Sequence, residues 1–218
     1  MTGATVTLRL DWPYDDALQE MSAARDDVIA GGEGRIFVGS HREEVVTLGR
    51  HAPESQMQGR AALALRGVLV RRVERGGGAT AHGPGQLVVY PVIHLERCRL
   101  DVRSLTAALL TTACDLAAEQ GIEATAGDTG VFVNGAKLAS VGFRIEHGVV
   151  THGLAVNVSN DLGLFGLIAP CGVHQQAMAR LRPATGPIAK ELAERLGFHA
   201  LKNCMLAFSL RRGTGARA

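Results

Sequence analysis

Residues 74–91 read ERGGGATAHGPGQLVVYP, in which five glycines, an arginine and a histidine lead into an apolar run with the look of a buried strand. Backbone without Cβ atoms lets a ligand lie against main-chain N–H groups, which is the physics of phosphate and carbonyl recognition. The spacing is not G-x-x-x-x-G-K-(S/T), and no helical pattern follows the glycines, so a nucleotide P-loop is disfavoured. Taken alone, the stretch reads either as a plain glycine loop between two strands or as a cradle for a ligand.

Outward from this loop, strand and helix patterns alternate irregularly. Helical periodicity falls at residues 13–30, where Ala17, Leu18, Met21, Val28 and Ile29 recur after Pro13 and Gly31-Gly32 closes the run. It recurs at 103–120, with Leu105, Leu109, Ala113 and Leu116 ahead of Gly121, and at 187–196, between Thr185 and Gly197. Val- and Ile-rich runs at 5–10, 35–38, 44–48, 67–73, 86–94 and 130–133 read as strands, and 138–146 with 149–158 as a hairpin turning at His147-Gly148. The expected fold is α/β (α+β): a mixed β-sheet with packing helices, one domain over residues 1–218, and a frayed tail at 211–218.

Composition excludes several classes. Hydrophobic residues at 46% and charged residues at 20% exclude a disordered chain. A net charge of +2, with acids and bases interleaved, argues against nucleic acid as a partner. The four cysteines, at 98, 114, 171 and 204, form no C-x-x-C and no zinc-type spacing with the histidines, so no metal and no cofactor is expected. Cys98, Cys114 and Cys204 read as packing, and His94, His147, His174 and His199 as ordinary surface or turn residues. The N-terminus lacks the basic flank and apolar core of a signal peptide, and apolar stretches such as 87–93 fall short of the ~20 residues that span a bilayer. A cytoplasmic protein with free thiols and no membrane contact is expected.

Three blocks then acquire meaning together. Arg75, Gly76, Gly77, Thr80, His82, Gly83, Pro84, Gly85 and Gln86 spell R-G-G-x-x-T-x-H-G-P-G-Q, which resembles the signature of the octanoyltransferases of lipoate biosynthesis (the LipB family). Residues 130–144, GVFVNGAKLASVGFR, are similar to the family's segment ending in a lysine block, here Lys137-Leu138-Ala139-Ser140-Val141-Gly142. Residues 152–172, HGLAVNVSNDLGLFGLIAPCG, are similar to its H-G-x-A block followed at this spacing by P-C-G, which holds Cys171. Trp12-Pro13-Tyr14 with Ala17-Leu18 resembles the family's opening helix, and residues 45–50 its V-x-T-x-G-R strand. By residue type alone, a lysine between a turn and a strand is usually solvated, and a cysteine is usually a small buried hydrophobe. Pro170 and Gly172 around Cys171 suit a sharp turn that presents a thiol.

The resemblance implies the catalytic fold shared by biotin and lipoate protein ligases, with Cys171 as nucleophile and Lys137 as general base and acid. It implies substrate contacts from Arg75, Gly76, Gly77, Thr80, His82, Gly83, Gly85, Gln86, Ser140, Gly142, His152, Gly153 and Ala155, with the glycine loop, Arg75 and His82 supplying the floor of the acyl pocket and donors around the reacting carbonyl. A thiolate attacking a thioester yields a thioester of similar energy, so no ATP is required. The implied donor is octanoyl-acyl carrier protein. The implied acceptors are lipoyl domains of 2-oxoacid dehydrogenase E2 subunits and the glycine cleavage H protein. Two departures stand out: position 81 is usually aromatic and here is Ala81, which would widen the acyl pocket, and Arg42-Glu43-Glu44 replaces a His/Pro-containing stretch. An ATP-dependent lipoate or biotin-type ligase, or a divergent cysteine acyltransferase or thioesterase, would use the same fold.

Overall fold

The computed structural model describes residues 4–169, 176–182 and 190–214. Helix α1 (Tyr14–Ile29) begins directly after Pro13, whose φ of −57° suits a helix start, and Glu43 accepts the Tyr14 N–H at 2.7 Å. Its buried side chains, Tyr14, Ala17, Met21, Ala24 and Val28, form one stripe at helical spacing. Ala17, Met21, Ala24 and Val28 pack with Trp12, Phe37, Val88, Tyr90 and Val92 on one face of a large sheet, and Tyr14 packs with Val45 and Val73. That sheet has the order β1 (Thr5–Trp12), β2 (Arg35–His41), β6 (Gln86–His94), β10 (Val149–Asn157), β9 (Ala136–Glu146), β8 (Gly130–Val133) and β7 (Thr125–Ala126). On its other face, Leu87, Val89 and Ile93 of β6 pack with α3 (Val102–Glu119) and α4 (Lys190–Thr214). Strand β6 is central and covered on both faces, which explains its nearly unbroken apolar sequence.

A smaller sheet holds β3 (Val45–Leu48) between β4 (Leu69–Arg72) and β5 (Ala79–His82), with α2 (Arg60–Leu65) close by in the chain. The β1–β2 and β3–β4 pairs are parallel and the other pairs are antiparallel, so the expected mixed α+β architecture is what forms. The hairpin turns where its sequence says it should. His147 and Gly148 have φ of 47° and 77°, both positive as a type I′ turn requires, and join β9 to β10. Helix α3 starts on a capping box, in which Asp101 Oδ1 accepts the Ser104 N–H at 2.7 Å and Ser104 Oγ accepts the Asp101 N–H at 3.0 Å.

Two expectations need correction. The last helix does not stop at Leu196 but runs through Gly197 to Thr214, four residues into the stretch expected to fray. A Cβ at 197 would lie 3.0 Å from Val6 Cγ1 and 3.4 Å from Val38 Cγ2, so this glycine brings α4 close against the sheet instead of ending it. The expected start at 187–189 lies outside the described residues. The glycine stretch is also more than a loop, because its centre, Ala79–His82, is strand β5, paired with Leu48 through Val45. Among the described residues, no helix is long and apolar enough to cross a membrane.

Candidate active site

The glycine stretch, β9 and β10 converge on one cleft, an open volume of about 610 Å³. From the stretch and β5 it receives Arg75, Gly76, Gly77, Thr80 and His82; from β9, Lys137, Ser140 and Gly142; from β10, His152, Gly153 and Ala155. Backbone contacts hold the stretch in place. Gly76 N–H donates to Phe143 O at 2.8 Å, and Arg50 N–H to Arg75 O at 3.1 Å. A Cβ on Gly49 would sit 2.1 Å from Gly77 O, which is why the T-x-G-R strand ends in glycine. The buried Arg75 guanidinium donates to Gly76 O and Gly78 O at 2.9 Å, and to Thr47 O at 3.0 Å and Thr47 Oγ1 at 2.7 Å. It shapes the cradle it belongs to.

Lys137 is only 8% exposed. Its main chain pairs with the segment at 176–182, its N–H donating to Ala177 O at 2.7 Å and its carbonyl accepting from Ala179 N–H at 2.9 Å. The side chain crosses Gly130, where a Cβ would lie 2.5 Å from Lys137 Cε. Nζ sits 6.0 Å from the centre of the Phe132 ring.

The polar groups around the cleft have definite hydrogen-bonding senses. Gln86 Nε2 donates to Ala81 O at 3.1 Å and to Asn157 Oδ1 at 3.0 Å, while Asn157 Nδ2 donates to Ala179 O at 3.1 Å. Carbonyl oxygens only accept, so both amides are oriented and Gln86 Oε1 must accept. It lies 2.6 Å from His82 Nδ1, which therefore carries the proton and leaves the Nε2 lone pair as an acceptor, so this ring has no Nε2 hydrogen for the donor role expected of it. The same logic fixes His41. Its Nδ1 faces Trp12 O at 3.2 Å, so its Nε2, at 2.9 Å, accepts from the Tyr90 hydroxyl. Tyr90, which lines the cleft, thus commits its hydroxyl proton to His41.

His152 sits in β10 with φ of 60°, a left-handed conformation unusual for a residue with a Cβ. The neighbouring strand explains the kink. The paired register of β6 and β10 lapses between Val150↔Ile93 and Leu154↔Val89, the interval that contains Pro91, which has no N–H to donate. A Cβ at Gly153 would lie 2.3 Å from Val89 O. Burial holds all three cleft-side imidazoles neutral: His41 is lowered to about 4 despite its bond to Trp12 O. His82 is lowered to about 3 by burial first and the nearby His41 second, and His152 to about 3 by burial first and then Arg75 and Arg144.

The remaining candidates fall elsewhere. Gly83 borders a second cavity with Glu44, Pro84, Asn160 and Leu164, and His82 and Phe165 are walls common to both spaces. Gly85, at φ of 88°, packs where a Cβ would meet Asn160 N at 2.6 Å, and Gln86 stands behind His82. Ala81 borders the second cavity and not the main cleft, so the expected widening of the acyl pocket is not found there. Cys171 and His174 lie outside the described residues. Cys98, Cys114 and Cys204 do not line the cleft, and burial raises all three thiols, Cys204 to about 12. His199 is not a surface residue, because it is buried between Glu119 at 2.8 Å and Asp115 at 3.3 Å, tying α4 to α3. Sequence reasoning missed Tyr90, Phe165 and Met178 in the cleft wall and His41 behind it; only the odd Tyr-Pro pair inside an apolar strand hinted at the first. Among the described residues no group of three His, Cys, Asp or Glu side chains could hold a metal ion.

Comparison with known proteins agrees with this geometry. The family model "Lipoyl protein ligase A/B catalytic domain" matches residues 11–206. An octanoyltransferase of Azoarcus sp. is 37% identical over 89% of this chain and 84% of its own length. Lipoate-protein ligase A bound with ATP superposes with a TM-score of 0.68 at 15% identity, covering 94% of this chain and 86% of the other. A bipartite lipoate protein ligase from Thermoplasma acidophilum gives 0.70 at 16%, covering 94% and 84%. These likenesses to solved structures are of fold, and the sequence relationship is closer: the chain belongs to the octanoyltransferases of the lipoyl protein ligase A/B catalytic domain family.

Proposed function

We propose that this acyltransferase of protein lipoylation works through an acyl-enzyme on Cys171, taking octanoyl from octanoyl-acyl carrier protein in the cytoplasm and passing it to a lysine on a lipoyl domain. The Cys171 thiolate attacks the thioester carbonyl and expels the carrier's thiolate. The acceptor's ε-amine then attacks the enzyme thioester and expels Cys171. Lys137 takes the proton from the incoming thiol or amine and returns it to the leaving thiolate. Acceptors of this kind are E2 subunits of 2-oxoacid dehydrogenases and the glycine cleavage H protein.

The observation that carries the reading is the buried Lys137 at the wall of an otherwise largely apolar cleft, built from the same blocks that carry the family resemblance. The chain on either side of residues 170–175 adds support. Ala169 N–H donates to Gln56 O at 2.7 Å, and Gln56 Oε1 accepts from Ala79, a cleft residue, at 2.6 Å. On the far side, Ala177 bonds to Lys137 itself.

Intact mass after mixing with octanoyl-acyl carrier protein tests the proposal. An octanoyl adduct is expected on the wild type, absent from Cys171→Ala and discharged by a lipoyl domain. A Cys171→Ala variant that remains active with ATP and free octanoate would instead establish a ligase, the activity suggested by the fold it has in common with the ATP-bound ligase.

A further inference from the structure

Among the described residues, His152 Nε2 is a buried polar atom with no hydrogen-bond partner, and the residue lines the main cleft at 8% exposure. A buried donor left unpaired costs about 1–3 kcal/mol, so a fold keeps one where a ligand completes it. The backbone around it is also strained, with φ of 60° beside a glycine that tolerates no side chain. Such strain at a cleft residue points to a required orientation of the ring.

The sense of the free nitrogen follows from its neighbour. Thr151 Oγ1 lies 3.4 Å from His152 Nδ1, and the hydroxyl is buried with the residue at 4% exposure. A hydroxyl proton directed at Nδ1 satisfies both groups, which leaves the ring hydrogen on Nε2. The orphan is then a donor. Of the two imidazoles that line this cleft, His82 offers an acceptor at Nε2 and His152 a donor. A saturated acyl chain brings only methylenes and one strong acceptor into this space, its carbonyl oxygen.

We infer that His152 Nε2–H donates a hydrogen bond to the carbonyl oxygen of the bound acyl group and stabilises the oxyanion that forms there. This rests on the acyl-transfer reading above. When thiolate or amine adds to the carbonyl carbon, the C=O π electrons move to oxygen, and the His152 hydrogen bond tightens without proton transfer. When the thiolate leaves, the C=O re-forms and His152 is unchanged. The imidazole is held neutral, so it donates without acting as an acid.

Two variants separate this role from a structural one. Asparagine accepts left-handed backbone but is too short to reach, whereas the Nε2 of glutamine stands about where the imidazole Nε2 does. His152→Asn is expected to lower kcat by about 100-fold with KM within about threefold, and His152→Gln to recover about tenfold of the loss. Unfolding midpoints are read in parallel. An Asn variant within about threefold of wild-type kcat would overturn the inference, as would Asn and Gln variants that are equally slow.

If the variants fold poorly, the isotope-labelled carbonyl of the wild-type octanoyl-enzyme decides by infrared spectroscopy. A stretch at lower wavenumber than the same thioester in dry hydrocarbon supports the bond, and an unshifted stretch removes it. Wild type that forms no adduct at all defeats the acyl-enzyme reading itself. Normal adduct with an unimpaired Asn variant defeats only the oxyanion role.

Discussion

Acidification from pH 7.5 to 5.5 should destabilise this fold through three buried histidines. In the unfolded chain each imidazole takes a proton near 6.5, but folded His41 does so only near 4, and His82 and His152 near 3. Between those values the unfolded state binds more protons, so stability is fully present above the unfolded pKa and is lost as pH falls toward the folded ones. Over these two pH units each such group contributes a loss of about 1.4 kcal/mol, or about 4 kcal/mol for three. That is a large share of the ~5–15 kcal/mol that holds a typical domain. The carboxylates held low by their partners, Asp15 by Arg71, Glu119 by Arg195 and Asp161 by the Gly163 N–H, lose their contributions only below about pH 4.5 and leave this window clear. Urea unfolding followed by far-UV circular dichroism at pH 7.5, 6.5 and 5.5 measures the slope. His41→Asn should remove about a third of it, whatever the variant does to absolute stability. A total change below about 1 kcal/mol would refute the claim that these imidazoles are neutral and buried.

Gly130→Ala should lower the transfer rate at least about tenfold and reduce the melting temperature, because the new Cβ meets Lys137 Cε at 2.5 Å and the Ala139 carbonyl at 2.7 Å; steady-state assay and calorimetry read both. Gln86→Leu strands the His82 Nδ1–H, Ala81 O and an Asn157 acceptor, and should cost about 2 kcal/mol or more in urea unfolding. Gly197→Leu should destabilise by at least about 2 kcal/mol by forcing α4 off Val6 and Val38, and a neutral result would restore the glycine to the role of an ordinary helix residue. Ala81→Phe should fill the second cavity and leave octanoyl transfer within about threefold; loss of transfer in the folded variant would show that the reaction needs that space.

What the sequence disclosed depended on whether the signal was local. His147-Gly148 could be read as a turn because a type I′ geometry asks for two residues that tolerate positive φ, and the chain supplies them adjacent to one another. The apolar run of β6 announced a strand covered on both faces. Gly197 misled because a helix-stopping glycine and a close-packing glycine are identical in one dimension. The difference lies in Val6 and Val38, far away in the chain. Strand β5 hid among glycines, since its only evidence is its pairing with β3. Of the site, the glycine, lysine and histidine blocks could be assigned through their resemblance to a family. His41 could not, because its place beside Tyr90 and Trp12 is produced by the meeting of β1, β2 and β6.

Two of the motif residues bond to the protein's own groups: Arg75 to Gly76 O, Gly78 O and Thr47, and Gln86 to Ala81 O and Asn157 Oδ1. Arg75 fixes the shape of the glycine cradle. Gln86, anchored at Ala81 O and Asn157, fixes which nitrogen of His82 bears the proton. That anchoring does not pass through the side chain at position 81, so an alanine there leaves His82 held as firmly as before, and the freed space opens on its far side. A cleft built this way is apolar in most of its lining and yet polar at a few fixed points: an acceptor at His82, a donor at His152, an amine at Lys137. An acyl chain carries almost no information of its own. The one feature such a site can read is where the carbonyl stands, and the fixed donors and acceptors around the cleft are what would read it.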